Sequence, residues 1–285
     1  KILRSPHPHA RILSVDTSAA LALEGVHGVV TGADFPTPYG IIPWTPDEHA
    51  LCYDKARYMG DGVAAVAAID EETANAALKL INVQYEPLPV LTDPHDALAR
   101  TDVLVHEHRK RKSNISKEVE LSFGDVDEAI AGAALVIEGD YRFHGSTHTP
   151  IEPHCAIGHC DSKGLLTLWS ATQVPHYLHR ELARVLEIPT HRIRVIQPHL
   201  GGAFGGKSEP FDLEFVVSLL AMRTGRPVKC LYTREEVFLA HRGRHPFDMH
   251  YRCGFDENGK ILAVGADSVL DGGAYSSFGL VTTYY

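Results

Sequence analysis

Residues 201–208 read GGAFGGKS, which fits G-x-x-x-x-G-K-[ST], the loop that holds nucleotide phosphates in P-loop ATPases and GTPases. The preceding stretch, RIRVIQ (192–197), is typical of a strand, and the following stretch, PFDLEFVVSLLAMRTG (210–225), is typical of a helix. A strand, a glycine-rich loop and a helix are the parts of a P-loop. A P-loop NTPase is therefore one hypothesis for this chain.

The residues on either side of the loop argue against that hypothesis. In a P-loop the strand runs directly into the first glycine, whereas here QPHL (197–200) intervenes, and Pro198 would interrupt a central strand. Glu209 follows Ser208 and would repel phosphates unless it bound their metal ion. The loop alone neither establishes nor excludes a P-loop.

Composition excludes several classes of protein. The chain has 285 residues, 44% of them hydrophobic, which is enough for two domains with real cores. Its net charge is −9 and its one basic run is HRKRK (108–112), so neither nucleic acid nor an anionic membrane is expected as the main partner. No apolar stretch of about 18 residues predicts a membrane span, and no secretory signal is present, so we expect a cytoplasmic protein.

The five cysteines are scattered without C-x-x-C spacing, which indicates a reducing compartment and no iron–sulfur site within this chain. HCAIGHC (154–160) contains four residues of types that bind zinc. If it forms a strand, Cys155 and Cys160 point to opposite faces, and one metal cannot easily reach all four side chains. Ordinary strand residues are favoured over the alternative, a zinc site.

The chain is expected to be a piece of a longer polypeptide, because it opens without methionine at KILRS and stops on the apolar run GLVTTYY.

We predict an α+β fold with a first domain at residues 1–95, a polar surface connector at 96–118 and a second domain at 119–285. Strands are predicted at KILRS, VHGVVTG, DGVAAVAAI, ALVIEGDYRFHG, AIGHC, LLTLWS and FDMHYRCGF, and helices at EETANAALKLI, DVDEAIAGA, HYLHRELARVLEI and FDLEFVVSLLAMRTG. The first helix should carry Ala74, Ala77, Leu78 and Ile81 on one apolar face, the second should follow an aspartate cap, and the last should end at Gly225.

Gln173 stands at the end of the predicted LLTLWS strand, in TQVPHY (172–177), just before a proline that stops the strand. Its amide offers two donors and an acceptor. A glutamine in this position is commonly just solvated. Here it precedes the glycine loop by about thirty residues, and that order carries a wider resemblance.

The order of motifs resembles the molybdopterin-binding subunit of the xanthine dehydrogenase and aldehyde oxidase family. The matching motifs are ATQVPH, RIRVIQPHLGGAFGGK, GRPVKCLYTREE and HRGRHPF. The first region, with RSPHPHARI and KARYMGDGVAAVAA, is similar to the α/β hammerhead domain of that family. Within the family, SPHPHARI, FLAHRGRHPF and DGGAYSSFG are most similar to the large subunit of 4-hydroxybenzoyl-CoA reductase.

The resemblance implies that the loop holds a molybdenum cofactor and not ATP. Gly201, Gly202 and Gly205 would let the backbone approach the cofactor. Gln173 would lie beside the molybdenum, within hydrogen-bond distance of an oxo group. Phe204 would line the site through its main chain and ring. Gln173 and Phe204 are expected near the metal without being direct ligands, and Lys207 is expected to be incidental.

The resemblance also implies what the chain lacks and what it needs. The family's arginine-containing glycine motif, most pterin contacts and the glutamate base lie later in the large subunit, so no catalytic residue is expected here and the fragment should be inactive alone. Iron–sulfur clusters and FAD are expected on partner subunits or domains. The reaction would be oxidation of an aromatic, heteroaromatic or aldehyde substrate, or reductive removal of a phenolic hydroxyl.

Ser208 and Glu209 are the residues expected at the substrate pocket. In purine-oxidising members a glutamate directly follows the loop lysine, whereas here Ser208 takes that place and Glu209 comes one residue later. This departure argues against xanthine as the substrate. A non-catalytic binding or assembly module is a third interpretation, relevant if the isolated fragment is the natural product.

Overall fold

Short strands and helices alternate along the chain in the computed structural model, which describes residues 1–110, 112–240 and 242–283. Arg111 of the HRKRK run, His241 of the HRGRHPF motif and the last two tyrosines lie outside the described residues. The chain divides into two units, residues 1–90 with 147–242 and residues 91–146 with 243–285.

The first unit contains strands Ile2–Arg4, Ala10–Asp16, Val26–Thr31, Lys55–Ala56, Gly62–Ala68, Asn82–Pro87, Cys155–Cys160, Leu166–Ser170, Ile193–Ile196 and Val228–Leu231. Its helices are Ser18–Ala22, Glu71–Leu78, Pro175–Val185, Asp212–Thr224 and Arg234–Ala240, with 3-10 turns at Gly32–Asp34 and Thr190–Arg192. The second unit contains strands Leu135–Phe143, Phe247–Phe255 and Ile261–Leu270 and helices Pro94–Ala99, Val126–Ala131 and Gly279–Thr282. Two short strands, Ser146–Thr147 and Gly243–Arg244, stand where the chain passes between the units.

The N-terminal part of the first unit forms two small antiparallel sheets. In one of them Gly62–Ala68 lies between Ile2–Arg4 and Val26–Thr31. The predicted helix begins as its sequence indicates, because the Asp70 side chain accepts a hydrogen bond from the Thr73 N–H. On its predicted apolar face Ala74, Ala77 and the following Ile81 are buried, and Leu78 is half-buried.

A four-stranded sheet, here called the central sheet, carries the residues around the glycine loop. Cys155–Cys160 pairs antiparallel with Leu166–Ser170 and with Val228–Leu231, and Ile193–Ile196 adds a parallel edge strand. The long helix, Asp212–Thr224, packs on this sheet. Its buried residues include Leu213, Phe215, Val216, Val217, Leu220 and Ala221. It ends as predicted at Gly225, whose φ of 64° is the left-handed conformation that favours glycine.

The second unit is an antiparallel sheet with Phe247–Phe255 in the middle. The predicted aspartate cap is present, because Asp125 accepts a hydrogen bond from the Glu128 N–H. The predicted connector is not devoid of regular structure: Pro94–Ala99 is a helix whose N-cap is Asp93. Asn114 also ties the connector together by donating to the carbonyls of Ala97, Arg100 and Val103.

The arrangement confirms the predicted α+β class. In the described parts of the chain, no helix is both long and apolar enough to cross a membrane.

The central sheet and the long helix come close together at Gly158. A methyl group added there would lie 2.6 Å from the Val217 carbonyl oxygen. Gly158→Ala should therefore lower the free energy of unfolding by about 1–3 kcal/mol, the usual cost of overpacking. Urea unfolding followed by tryptophan fluorescence measures this, since Trp44 and Trp169 both belong to the first unit.

The matched control is Gly132→Ala in the second unit, where the nearest heavy atom to the new methyl group is 3.6 Å away. It should leave the tryptophan transition unchanged. Equal stability of Gly158→Ala and the parent would contradict the tight packing of helix on sheet.

Candidate functional site

Gln173 lies just beyond the end of the Leu166–Ser170 strand, and its side chain reaches the glycine loop (residues 201–208). Its Oε1 accepts hydrogen bonds from the N–H of Gly205 at 3.1 Å and of Lys207 at 3.2 Å, and from the Ser208 hydroxyl at 3.2 Å. Its own backbone N–H donates to the Lys207 carbonyl at 2.8 Å. The exposed glutamine therefore fixes the conformation of the loop.

These contacts determine which way the Gln173 amide points. Backbone N–H groups can only donate, so the atom that faces Gly205 and Lys207 must be the amide oxygen. The amide nitrogen consequently points elsewhere, and it has no acceptor among the residues that the structure describes. Gln173 thus keeps two neutral N–H donors that no described residue binds.

Phe204 occupies the tip of the loop in a conformation that is rare for a residue with a side chain. Its φ is +55°, and its side chain is 74% exposed, with the ring beside Gly202. Such a backbone costs about 1–3 kcal/mol and is found mainly at functional sites. The Phe204 N–H also lacks an acceptor in the described part of the chain, so it can donate to a ligand.

Glycine is needed at each of these loop positions for a different physical reason. Gly202 and Gly205 have φ values of +105° and +91°, which residues with side chains rarely adopt. Gly201 has no such conformation, but a methyl group there would lie 2.8 Å from Glu152 Cβ. The predicted role of these glycines in admitting a cofactor remains a proposal, and the loop's own geometry already requires them.

Lys207 is buried and paired inside the protein. Its Nζ lies 2.6 Å from Glu152 Oε2, which also accepts the Gly201 N–H at 3.0 Å. The lysine side chain is fully buried, and the glutamate is 30% exposed. Lys207 is therefore not incidental to the loop: through Glu152 it ties the loop's end to its beginning.

The surroundings of the loop differ from those of a phosphate site. In P-loops the helix begins at the lysine and its N-terminus meets the phosphates, whereas here the long helix begins only at Asp212. The preceding strand, Ile193–Ile196, is at the edge of the central sheet. With Lys207 held by Glu152, the geometry gives no support to nucleotide binding.

The structure places Ser208 and Glu209, the two expected pocket residues, in different environments. Ser208 is half-buried beside Gln173, to which it donates. Glu209 is only 4% exposed, and its Oε2 lies 3.6 Å from Nε of Arg242, which also binds Glu48. Burial raises the pKa of the Glu48 carboxyl. The Glu209 charge is thus directed into an internal cluster.

The HCAIGHC segment forms the strand Cys155–Cys160, with His154 just before it. The His154 ring packs against the rings of Phe211 and Tyr232, with centroids 4.4 Å and 5.5 Å away. Within the described ranges no three His, Cys, Asp or Glu side chains come together as a metal-binding group.

Two features near the loop had no signal in the sequence. The Arg234 guanidinium donates to the carbonyls of Pro150 at 2.7 Å and Ile151 at 2.9 Å. It thereby holds the segment that carries Glu152. The neighbouring Thr149 has a φ of +42°, a strained value for a β-branched residue. No local pattern links these residues to the loop, because the contacts span more than eighty positions.

Gln173 and the glycine loop fit a bulky cofactor that carries hydrogen-bond acceptors. Gln173 and Phe204 supply N–H donors without acceptors in the described chain, and the strained loop holds them in place. The donors are neutral, so they would stabilise electron-rich oxygen or sulfur atoms without adding a charge.

Comparison with known proteins identifies the family of this chain. Residues 105–285 match the molybdopterin cofactor-binding domain family, and residues 1–89 match the a/b hammerhead domain of aldehyde oxidase and xanthine dehydrogenase. The chain is 39% identical over 281 residues to a probable xanthine dehydrogenase subunit from Bacillus subtilis, covering 98% of this chain and 37% of that protein. It is 37% identical to the nicotinate dehydrogenase large molybdopterin subunit of Eubacterium barkeri, covering 98% and 64%.

Solved structures give the same result for the fold. Aldehyde oxidoreductase from Desulfovibrio desulfuricans superposes with a TM-score of 0.91 at 28% identity, over 99% of this chain and 32% of that one. Quinoline 2-oxidoreductase from Pseudomonas putida superposes with a TM-score of 0.84 at 32% identity, over 96% and 36%. The expected hammerhead and molybdopterin-binding folds are confirmed. The chain belongs to the xanthine dehydrogenase and aldehyde oxidase family, as part of a molybdopterin-binding large subunit.

Proposed function

We propose that this chain forms the first part of the large subunit of a molybdenum hydroxylase-type oxidoreductase that acts on a small aromatic, heteroaromatic or aldehyde substrate. The observation that carries the proposal is the Gln173 amide, whose oxygen is bound by the loop and whose nitrogen is left to donate. The chain spans about 37% of the Bacillus subtilis relative, so the complete activity is proposed for a larger assembly.

The proposed roles of the site residues follow from their donors and shapes. When bound, the molybdenum cofactor would supply two-electron redox chemistry at a metal centre. Gln173 Nε2 and the Phe204 N–H would donate to acceptor atoms of the cofactor, and the Phe204 ring would cover one side of it. Gly201, Gly202 and Gly205 would let the main chain come close. The catalytic base would come from outside this chain.

The proposed substrate is not a purine. The internal pairing of Glu209 with Arg242 supports this, because it leaves Ser208 as the polar side chain beside Gln173. Relatives named for nicotinate and quinoline support a heteroaromatic substrate. A narrower proposal, the large subunit of 4-hydroxybenzoyl-CoA reductase, rests on the sequence motifs SPHPHARI, FLAHRGRHPF and DGGAYSSFG. Iron–sulfur and FAD subunits are the proposed partners, and the cytoplasm is the proposed location.

Metal content tests the proposed assembly. The complex purified with its full-length large subunit should contain molybdenum, with iron on partner subunits or domains. The 285-residue chain alone should retain neither metal tightly, because most pterin contacts of the family are expected later in the large subunit. Elemental analysis measures both. Stoichiometric molybdenum on the isolated chain, or none in the complex, would contradict the proposal.

Two substitutions of Gln173 separate its roles as acceptor and donor. Gln173→Glu keeps oxygen acceptors for the loop but loses the N–H donors, and Gln173→Ala loses both. In the isolated chain, hydrogen exchange at Gly205 and Lys207 should therefore rise in the alanine variant and stay near the parental rate in the glutamate variant.

In the assembled enzyme at matched molybdenum content, both variants should turn over about ten- to a hundredfold more slowly, the scale of losses from residues that support a metal centre. Parental turnover by Gln173→Glu would show that the amide donors do not contribute to the site.

Nucleotide binding tests the P-loop interpretation directly. The chain should show no magnesium-dependent ATP affinity at about 1 mM nucleotide by calorimetry. Lys207→Met should instead lower the free energy of unfolding by about 2 kcal/mol, because it removes a buried bond to a charged group. Tight ATP binding that is lost in Lys207→Met would contradict the molybdenum site.

A further inference from the structure

Glu214 is a buried carboxyl that joins the two segments carrying the site. It lies in the first turn of the long helix and is 3% exposed. The Ser170 hydroxyl donates to its Oε1, and the Phe211 N–H donates to its Oε2 at 2.7 Å. Ser170 ends the strand that leads to Gln173, and Phe211 follows the glycine loop. One side chain therefore connects the bases of both segments.

The same two segments meet again at the exposed end of the site. There the Gln173 N–H donates to the Lys207 carbonyl, and the Gln173 side chain accepts from the loop. Glu214 and Gln173 are thus the buried and the exposed ends of one connected pair of segments.

The surroundings of Glu214 favour its neutral form more than is usual for a glutamate. No cation lies within ion-pairing distance in the described residues. Burial raises the pKa of the carboxyl from 4.5 to about 7, the bonds from Ser170 and Phe211 oppose the rise, and Asp212 adds to it. The carboxyl therefore changes charge near neutral pH.

Several other titratable groups lie near Glu214 and the loop. Asp212, on the same helix, pairs with Arg4 and accepts from the Tyr232 hydroxyl. Arg242 binds both Glu209, which follows the loop, and Glu48, whose pKa is raised by burial. His154 directly precedes the strand Cys155–Cys160, and Cys230 lies on the adjacent strand. Burial raises the pKa of Cys230 to about 12, so it stays a thiol at neutral pH. His154 packs on the Phe211 ring, so its ring signals are recorded alongside those of the loop.

We propose that Glu214 is a positioning residue of the cofactor site, and that its protonation changes how firmly the glycine loop is held against Gln173. That the site holds a cofactor rests on the proposed function. An ionised carboxylate accepts two charge-assisted bonds, whereas a protonated one must donate through one oxygen, so the Ser170 hydroxyl turns to accept. The loop is held more firmly when Glu214 is ionised.

Nuclear magnetic resonance of the ¹⁵N-labelled chain tests the proposal between about pH 5 and pH 9. The N–H signals of Gly205 and Lys207 and the side-chain amide of Gln173 should shift with one midpoint near pH 7. Glu214→Gln should abolish that midpoint. Ser170→Ala should raise it, because the lost hydroxyl favoured the ionised form.

Ser218→Ala is the matched control. Like Ser170→Ala, it removes a buried hydroxyl that contacts Glu214. The Ser218 hydroxyl, however, donates to the Glu214 main-chain carbonyl and not to the carboxyl, so the midpoint should not move. A midpoint that survives Glu214→Gln, or follows the His154 ring signals, would overturn the proposal. If Glu214→Gln does not fold, an unchanged midpoint in Ser170→Ala overturns it.

Stability gives an independent measurement. The folded pKa of Glu214 lies above 4.5, so its contribution to stability is full below that pH and is lost as pH rises through about 7. Glu214→Gln should remove this fall in stability between about pH 4.5 and pH 7. Equal pH dependence in variant and parent would contradict the buried carboxyl's role. Both experiments use the chain without cofactor, so a failure of the proposed function would appear separately, as missing molybdenum in the assembled enzyme.

Discussion

The side-chain oxygen of Gln173 is the contact on which the geometry of the site depends. It receives two main-chain N–H groups and one hydroxyl from a loop that contains a strained phenylalanine and two glycines with positive φ. A carboxylate could accept the same bonds, but it would offer no donors and would add a negative charge. An amide does both tasks, holding the loop with one end and presenting N–H groups with the other.

The same loop shows how one short motif serves different chemistry. The letters GGAFGGKS satisfy a nucleotide-binding pattern, but a phosphate site also needs a free lysine and a helix that starts there. Here Glu152 binds Lys207, and the helix begins at Asp212. The motif indicates a molybdopterin-binding domain only in combination with ATQVPH and the order of the segments that follow.

Local signals predicted much of the fold. Asp125 caps its helix and Gly225 ends the long helix as expected, and strand alternation located most strands of the central sheet. The helix Pro94–Ala99 was missed although Asp93 and Pro94 are a recognisable start signal, because the surrounding charge suggested a connector. The pairing of Lys207 with Glu152 joins residues 55 positions apart, and no periodicity encodes such a contact. The burial of Glu209 and Glu214 likewise depends on tertiary packing.

A crystal structure of the assembled enzyme with its molybdenum cofactor bound is the most direct measurement of the central claim. We predict that Gln173 Oε1 still accepts from Gly205 and Lys207, and that Gln173 Nε2 lies about 3 Å from an acceptor atom of the cofactor. A cofactor bound away from Gln173 and Phe204, or a Gln173 side chain that has released the loop, would contradict it.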